Sequence, residues 1–495
     1  MEQEPSHDKK AKKVSLLIYI CSMITVLIIG VGGTVLFFET TDQPSPATEE
    51  AALVQDSAEE TKPELEADLQ QVSELYSVLL ANYFEEVDPA VLVEGALEGM
   101  ADALGDPYTE YLDAGQSTSL QQDTQGEFEG IGAEVMKEGE FVLIVSPIEG
   151  SPAEEAGLQA NDLIKEIDDE PVAELSLQEA VAIIRGPKDS EVELLMQRAG
   201  EEFTITITRD SIPVESVNYN LDENDPSIGY VQITNFNSPT YDEVVNAIND
   251  LNDQGAEKFI FDVRGNPGGL LNSALQISNI FVEDGQPLMQ SQGRGEEPYV
   301  YVADESLGSV KFNKPAVLLI NEGSASASEI LAGAVSESAS IPLIGQTTFG
   351  KGTIQNVAPL SGEGEIKYTT GKWLTAEGEW INEKGIVPDI ESAMPEYQSL
   401  LIINSEQTYQ LGDVSQEVAN LNAVLKALEF KTGESGNVFT ENTKTAVEDF
   451  QSENDLEVNG IVTRATANAL VEALRTLIEE NDTQYQEAVN YLQDQ

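Results

Sequence analysis

Two short stretches carry side chains that could do chemistry together. Ile320-Asn321-Glu322-Gly323-Ser324-Ala325-Ser326-Ala327-Ser328-Glu329-Ile330 offers three serine hydroxyls, and Phe349-Gly350-Lys351-Gly352-Thr353-Ile354-Gln355 offers a lysine amine. A serine becomes a useful nucleophile when a neighbouring base takes its proton, and a lysine held neutral can be that base. The apolar run Ala316 to Ile320 reads as a buried strand and Glu329 to Val335 has helical spacing. The serines therefore fall at a strand-to-helix turn, where the first helical N–H groups are free. A plainer reading uses the same residues: Ser326 with Glu329 three positions on is a capping box, and a lysine between glycines is a turn lysine. By itself the run does not choose among Ser324, Ser326 and Ser328.

Inventory narrows the choice of base. The only histidine is His7 and the only cysteine is Cys21. A Ser-His-Asp triad, a Cys-His pair, an internal disulfide and a His/Cys metal site are thereby excluded from the body of the chain. What remains is serine with lysine, a nucleophile with an N-terminal amine, paired carboxylates, or an oxygen-ligated metal. Lys plus Arg number 25 against 89 Asp plus Glu, a formal charge of 25 − 89 = −64, so nucleic acid is not an expected partner. That acidity keeps a surface hydrated and strains the compact state by self-repulsion, which salt screens.

The elements that must position these groups lie between Ser227 and Glu391, where strands at 229–236, 258–264 and 316–320 alternate with helices at 241–252 and 271–281. The strand Phe259-Ile260-Phe261-Asp262-Val263-Arg264 runs into Gly265-Asn266-Pro267-Gly268-Gly269. Glycines there let backbone amides approach a ligand, and together with the Ala327 amide they could form an oxyanion hole. Gly345-Gln346-Thr347-Thr348-Phe349-Gly350-Lys351 nearly spells a phosphate-binding loop, but Gly352 lacks the hydroxyl that would ligate magnesium. Thr353 to Pro359 reads as extended where that loop needs a helix. No cofactor and no metal are expected.

Upstream, Lys9, Lys10, Lys12 and Lys13 precede an uncharged apolar run over 14–38. At ~1.5 Å per residue that run spans a hydrocarbon core of ~30 Å. The reading is a cytoplasmic tail at 1–13 and a retained transmembrane helix at 14–38, with the bulk of the chain extracytoplasmic on a cell membrane; a cleaved signal peptide is the alternative. A linker rich in Glu, Ala, Thr and Pro follows at 39–63. Helical spacing from Leu65 to Tyr83 and from Ala90 to Leu104 makes 64–115 a helical arm, a cap or a dimerisation element that would make the protein a homodimer. Asp106-Pro107-Tyr108-Thr109 closes it as a turn.

Residues 116–211 read as short strands with one helix, and the details resemble a PDZ domain. By that resemblance Gly130-Ile131-Gly132-Ala133 is the carboxylate-binding loop, followed by Ser151-Pro152-Ala153-Glu154-Glu155-Ala156-Gly157-Leu158 and Asn161-Asp162-Leu163-Ile164. Backbone amides in a glycine-containing nest suit a peptide's terminal carboxylate while the peptide adds a strand to the sheet. Arg185, just past the helix, is either a surface cation or a contact coupling peptide binding to the next domain.

Four motifs in order then resemble the carboxyl-terminal processing, or tail-specific, peptidases: Asp262-x-Arg264-x-Asn266-Pro267-Gly268-Gly269, Ser324 to Glu329, Gly350-Lys351-Gly352 through Gln355, and Gly385-Ile386-Val387-Pro388-Asp389-Ile390. The resemblance covers roughly 65 to 395. It implies a PDZ domain joined to a Ser-Lys protease core, with Ser326 as nucleophile, Lys351 as general base, Gln355 orienting the lysine, and amides of Gly268, Gly269 and Ala327 in the oxyanion hole. Beyond it, helical stripes across 408–478, with Ala446-Val447-x-x-Phe450-Gln451 and Val458-Asn459-Gly460-Ile461-Val462, resemble the three-helix peptidoglycan-binding module; Thr463 stands where glycine is usual. A helical bundle for self-association is the alternative there.

The expectation is an α+β multidomain chain: N-terminal transmembrane helix, helical arm, PDZ domain, α/β Ser-Lys protease core at 212–400 and a C-terminal three-helix module. Its expected activity is serine endopeptidase action on protein or peptide substrates with a free C-terminus, with the membrane and peptidoglycan as further partners. The competing class is an inert membrane-anchored peptide- or wall-binding scaffold.

Overall fold

In a computed structural model the described residues are 69–362 and 364–495, so the tail, transmembrane and linker expectations for 1–63 lie outside them. Among the described residues no helix is long and apolar enough to cross a membrane. The chain divides into two units, Met1–Ala96 and Leu97–Gln495. In the first, α1 (Gln70–Asn82) buries none of its residues and α2 (Pro89–Asp102) begins. Within the described residues the apolar spacing expected to be helical up to Tyr83 and from Ala90 to Leu104 falls on α1 and α2, with Leu75 and Val78 exposed.

In the second unit β1 (Glu110–Leu112) leads to α3 (Ala114–Gln125), which starts on a reciprocal Asp113/Gln116 capping box. The PDZ segment runs β2 (Glu127–Gly130), β3 (Ala133–Glu138), β4 (Phe141–Pro147), α4 (Pro152–Glu155), β5 (Leu163–Ile167), β6 (Glu170–Pro171), α5 (Leu177–Ile184), β7 (Glu191–Arg198), β8 (Glu201–Thr208) and β9 (Asp210–Pro213). Its sheet has the order β3-β4-β5-β7-β8, so β3 is an edge strand, and β2 pairs separately with β9. The sequence predicts one strand from Phe128 to Val135; the structure breaks it at Ile131-Gly132. Gly132 turns the chain at φ 74° and its carbonyl accepts from Ser151 Oγ at 2.8 Å.

The protease core continues with β10 (Val217–Leu221), β11 (Ile228–Ile233), α6 (Thr240–Gln254), β12 (Lys258–Asp262), α7 (Leu271–Phe281), β13 (Pro287–Gly293), β14 (Tyr299–Val302), β15 (Ala316–Ile320), α8 (Ala327–Ala339), β16 (Leu343–Gly345), β17 (Thr353–Pro359), β18 (Glu365–Leu374) and β19 (Ile390–Glu391). The central sheet has the order β10-β11-β12-β15-β16-β19, parallel from β11 onward. A second sheet, β1-β18-β13-β14 with β17 on β18, is antiparallel. The alternation of strands and helices did not reveal this second layer.

The parallel strands follow one another in one direction without reversing. Right-handed crossovers then put every intervening helix on the same face of the sheet. Val231, Phe259, Phe261, Leu318 and Ile320 pack there with α6, α7 and α8. Because strand side chains alternate, Ile228, Ile260, Val317, Leu319 and Ile344 point the other way and need a different cover. It arrives after the helical module of α9 (Gln416–Ala427), α10 (Glu441–Glu453) and α11 (Arg464–Glu480), whose own core includes Val418, Val447, Phe450 and Leu470. The helix α12 (Thr483–Gln493) lays Ala488 and Leu492 on the open face. The cover of this sheet comes from beyond 212–400: the module expected at 408–478 lies between β19 and the helix that packs on the open face.

Candidate active site

The loops at the carboxyl ends of β12, β15 and β16 converge. Ser324 and Ser328 are both buried and both committed: Ser324 Oγ donates to the Val263 carbonyl at 2.8 Å and Ser328 Oγ to the Asn266 carbonyl at 2.9 Å. They tie the serine turn to the glycine loop. Ser326 differs. It sits just ahead of α8 at φ 55°, ψ −112°, a conformation that costs a non-glycine residue about 1–3 kcal/mol, and its hydroxyl, placed in a capping box with Glu329, donates to no carbonyl as the other two do. The one serine of the three held in strained backbone is the one whose hydroxyl proton is not tied to a neighbouring carbonyl.

Glu329, fully buried, does more than cap the helix. Its Oε2 accepts from the amides of Ser326 at 2.9 Å and Lys351 at 2.8 Å, and its Oε1 from the Gly350 amide at 2.7 Å and Thr348 Oγ1 at 2.6 Å. One carboxylate therefore fixes the serine turn against the lysine loop. The loop's approach also needs glycine at 350, which has φ 89° and where a Cβ would lie 2.9 Å from the amides of Lys384 and Gly385.

The Lys351 carbonyl accepts from the buried Trp373 Nε1 at 2.8 Å, while its Nζ stands 4.6 Å from the centroid of the Tyr108 ring. Burial, first, and then the positive Lys367 push the Lys351 ammonium below its ordinary range, against the pull of Asp106, Glu329 and Glu110. Tyr108 is a site residue that the sequence reading left in a turn. The turn is real: Asp106 accepts from the Tyr108 amide at 3.1 Å and from Thr109 Oγ1 at 2.7 Å. Its purpose emerges only when Thr109 and β1 dock on β18, through the Thr369 amide bonding to Thr109 Oγ1 at 3.1 Å.

Ser326, Ala327, Gly269, Lys351, Gln355 and Trp373 line one cleft of about 1060 Å³, roofed by α3 through Ser117, Thr118 and Gln121. The expected oxyanion trio is changed. The Gly268 amide donates to Asn266 Oδ1 at 2.8 Å, so in this structure it is taken, and Gly269 and Ala327 are left facing the cleft. Gly269 has φ 146°, and a Cβ there would lie 2.3 Å from the Phe236 carbonyl oxygen. Gln355 shares the cleft without a bond to the lysine: its Nε2 donates to Thr353 Oγ1 at 2.9 Å and Thr369 Oγ1 at 3.3 Å. The extended reading of 353–359 holds as β17, which removes the phosphate-loop alternative.

In the PDZ segment, the Ile131 carbonyl accepts from the Ala153 amide at 2.8 Å and the Gly132 carbonyl from the Ile148 amide at 2.9 Å, so the loop's oxygens point inward. Gly130 ends β2 and Ala133 begins β3, so the expected carboxylate loop leads directly into the edge strand. Arg185 caps α5 with its guanidinium 4.8 Å from the Phe128 ring, close enough to Gly130 that a Cβ there would lie 3.6 Å from Arg185 Cγ. Among the described residues no group of His, Cys, Asp or Glu is arranged to hold a metal ion.

Comparison with known proteins agrees with this architecture piece by piece. Residues 227–392 match peptidase family S41, 143–198 a PDZ domain, 414–470 a peptidoglycan binding domain, and 27–116 the N-terminal domain of the activating protease CtpB. The chain is 39% identical over 423 residues to the carboxy-terminal processing protease CtpA of Bacillus subtilis (strain 168), covering 85% of this chain and 90% of that one. It is 35% identical over 429 residues to a CtpA-like serine protease of Staphylococcus epidermidis, covering 87% of each. Among solved structures, the photosystem II D1 C-terminal processing protease is similar at 30% identity and a TM-score of 0.39, over 65% of this chain and 86% of that one.

Proposed function

The chain belongs to peptidase family S41 as a serine-type C-terminal processing protease, and on that premise we propose that it cleaves protein substrates near exposed C-terminal tails with Ser326 as nucleophile and Lys351 as general base. The observation that carries the reading is the shared cleft: a serine hydroxyl that donates to no neighbouring carbonyl and a lysine whose pKa burial lowers, on loops stapled together by Glu329.

In this reading neutral Lys351 Nζ takes the Ser326 proton as Oγ bonds to the scissile carbonyl carbon. The amides of Gly269 and Ala327 hold the oxyanion. The lysine then returns its proton to the leaving nitrogen as the C–N bond breaks, leaving an ester on Ser326. A water gives a proton to Lys351 as it attacks the ester carbon, and the lysine returns that proton to Ser326 Oγ as the ester C–O bond breaks and the new carboxyl terminus leaves. Gln355 acts one step removed, its Nε2 holding the hydroxyls of Thr353 and Thr369.

Tail recognition is assigned to the loop at Gly130-Ile131-Gly132-Ala133 and to edge strand β3, with Arg185 beside Gly130. The test is cleavage of one peptide with an apolar C-terminus, free or amidated. The amidated form is expected to lose about tenfold in kcat/KM, the effect of removing one charge-assisted contact. Equal rates for the two would remove the carboxylate from the reading, and an unchanged preference in Arg185→Ala would leave that arginine a packing role on Phe128.

The lysine-flanked apolar run at 14–38 supports anchoring in a cell membrane with the bulk of the chain outside. Expressed full-length protein is expected in the membrane fraction after alkaline extraction, and accessible to added protease in intact cells; release into the soluble fraction counts against the anchor. The 414–470 match fits a wall polymer as a partner of the helical module.

A further inference from the structure

The turn that joins the helical module to α12 touches the roots of both catalytic loops. Only Asn481 separates the end of α11 from Asp482, the residue that caps α12 by accepting from the Tyr485 amide at 2.9 Å. The same carboxylate receives both guanidinium nitrogens of Arg264, Nη1 to Oδ1 at 2.9 Å and Nη2 to Oδ2 at 2.7 Å. Arg264 is the last residue before the glycine loop, and it also holds Asp262 through Nη2 at 2.6 Å. Gln484, fully buried, accepts from Arg264 Nη1 at 3.0 Å. Its own Nε2 donates to the Ser392 carbonyl at 2.7 Å and to Gln346 Oε1 at 3.2 Å. Gln346 follows β16 and opens the segment that ends at Lys351.

These contacts exceed what covering the sheet requires. Ala488 and Leu492 already do that through apolar packing. A bidentate arginine pair is geometrically demanding, and out of bulk water it fixes direction as well as distance. Tyr230, which donates to Asp262 at 2.7 Å and meets the Tyr485 ring edge-on at 5.4 Å, closes the network from the sheet side.

We propose that Asp482 and Gln484 are positioning residues for peptide hydrolysis: through Arg264 and Gln346 they set the glycine loop that carries the Gly269 amide and the segment that carries Lys351, and so couple the inserted module to the catalytic centre. The inference rests on the assignment of Gly269 and Lys351 given above.

The test compares α12 variants in the full chain, on a peptide with a free apolar C-terminus. Asp482→Ser and Asp482→Asn keep a good helix cap while removing the charge paired with Arg264. Both are expected to lower kcat about tenfold with KM within about twofold, the signature of displaced catalytic groups and not of lost substrate contacts. Leu492→Ala, which removes buried apolar surface from the same helix, is expected to lower the melting temperature more than either Asp482 variant while leaving kcat within about twofold. Should Asp482→Ser fail to fold, Asp482→Asn, closer in shape, carries the comparison. The proposal is overturned if the Asp482 variants keep wild-type kcat, or if Leu492→Ala loses kcat as they do, since α12 would then matter only for stability. Failure of the Ser-Lys reading is seen separately, as turnover that survives Ser326→Ala.

Discussion

Ser326→Ala and Lys351→Ala are each expected to lower kcat/KM on a tailed peptide by about 10⁴- to 10⁶-fold, and the double variant to be no worse than the poorer single one, because a nucleophile and its base act as a unit. What survives either change is binding plus oxyanion stabilisation. Ser324→Ala and Ser328→Ala provide the contrast: their hydroxyls are bonded to the Val263 and Asn266 carbonyls, so losing them loosens the turn without removing the attacking atom. Turnover retained in Ser326→Ala and lost in Ser324→Ala would reassign the nucleophile. The pH profile is part of the same expectation. Only neutral Lys351 accepts a proton, so kcat/KM rises with pH through the lysine's lowered value and then levels. The linkage has a matching sign. Between its native and unfolded values such a lysine binds fewer protons in the native state, so the opposition of burial to folding is full below the native value and fades as pH rises from there toward the unfolded value. Lys351→Met is thus expected to raise the melting temperature at neutral pH while abolishing activity, an exchange of stability for function. A melting temperature that fell instead would mean the contact with Tyr108 outweighs the cost of burying the charge.

Glu329→Gln has the second largest expected effect, on stability and activity together. The native carboxylate accepts from three amides and one hydroxyl and donates nothing. An amide of the same shape has one oxygen only, and in either orientation its NH₂ must face at least one backbone N–H, which cannot accept. Leaving such buried groups unmatched costs about 3 kcal/mol. Because the same four donors join the serine turn to the lysine loop, kcat is expected to fall about a hundredfold in the molecules that do fold. Urea denaturation and single-turnover acylation separate the two effects. Unchanged acylation in the folded fraction would reduce Glu329 to a helix cap.

What the sequence revealed, and what it hid, divides by range. Motifs confined to one turn were legible: the strand into Gly265, the serine turn before α8 and the extended stretch after Gly352 lie where spacing put them. Glu329 was legible as a cap because capping is local, but its bonds to Gly350 and Lys351 were not, since they depend on how the lysine loop folds back. Selecting Ser326 from three serines needed either a family resemblance or the partners of the other two. Tyr108 was visible only as a turn residue, because it meets Lys351 after β1 has paired with β18 across the second sheet. Gly268 was assigned a free amide that Asn266 occupies, a competition within five residues that letters do not decide. The helix α12 escaped because its stripe of Tyr485, Ala488, Val489 and Leu492 is short and mixed, and the demand for it comes from a bare sheet face far upstream.

The insertion of a helical module between β19 and α12 also bears on the order in which the molecule matures. The loops that carry Ser326, Lys351 and Gly269 are all synthesised before the module, yet one face of their sheet is uncovered until α12 returns to it. Closing a flexible tether has an entropic cost that grows with its length. A module with its own apolar core can fold first and shorten the effective tether to the distance between its two ends, so its early collapse speeds the last step of protease folding. On the proposed Ser-Lys reading, a nascent chain would carry Ser326 and Lys351 yet lack the contacts of Asp482 and Gln484 to Arg264 until the module is complete.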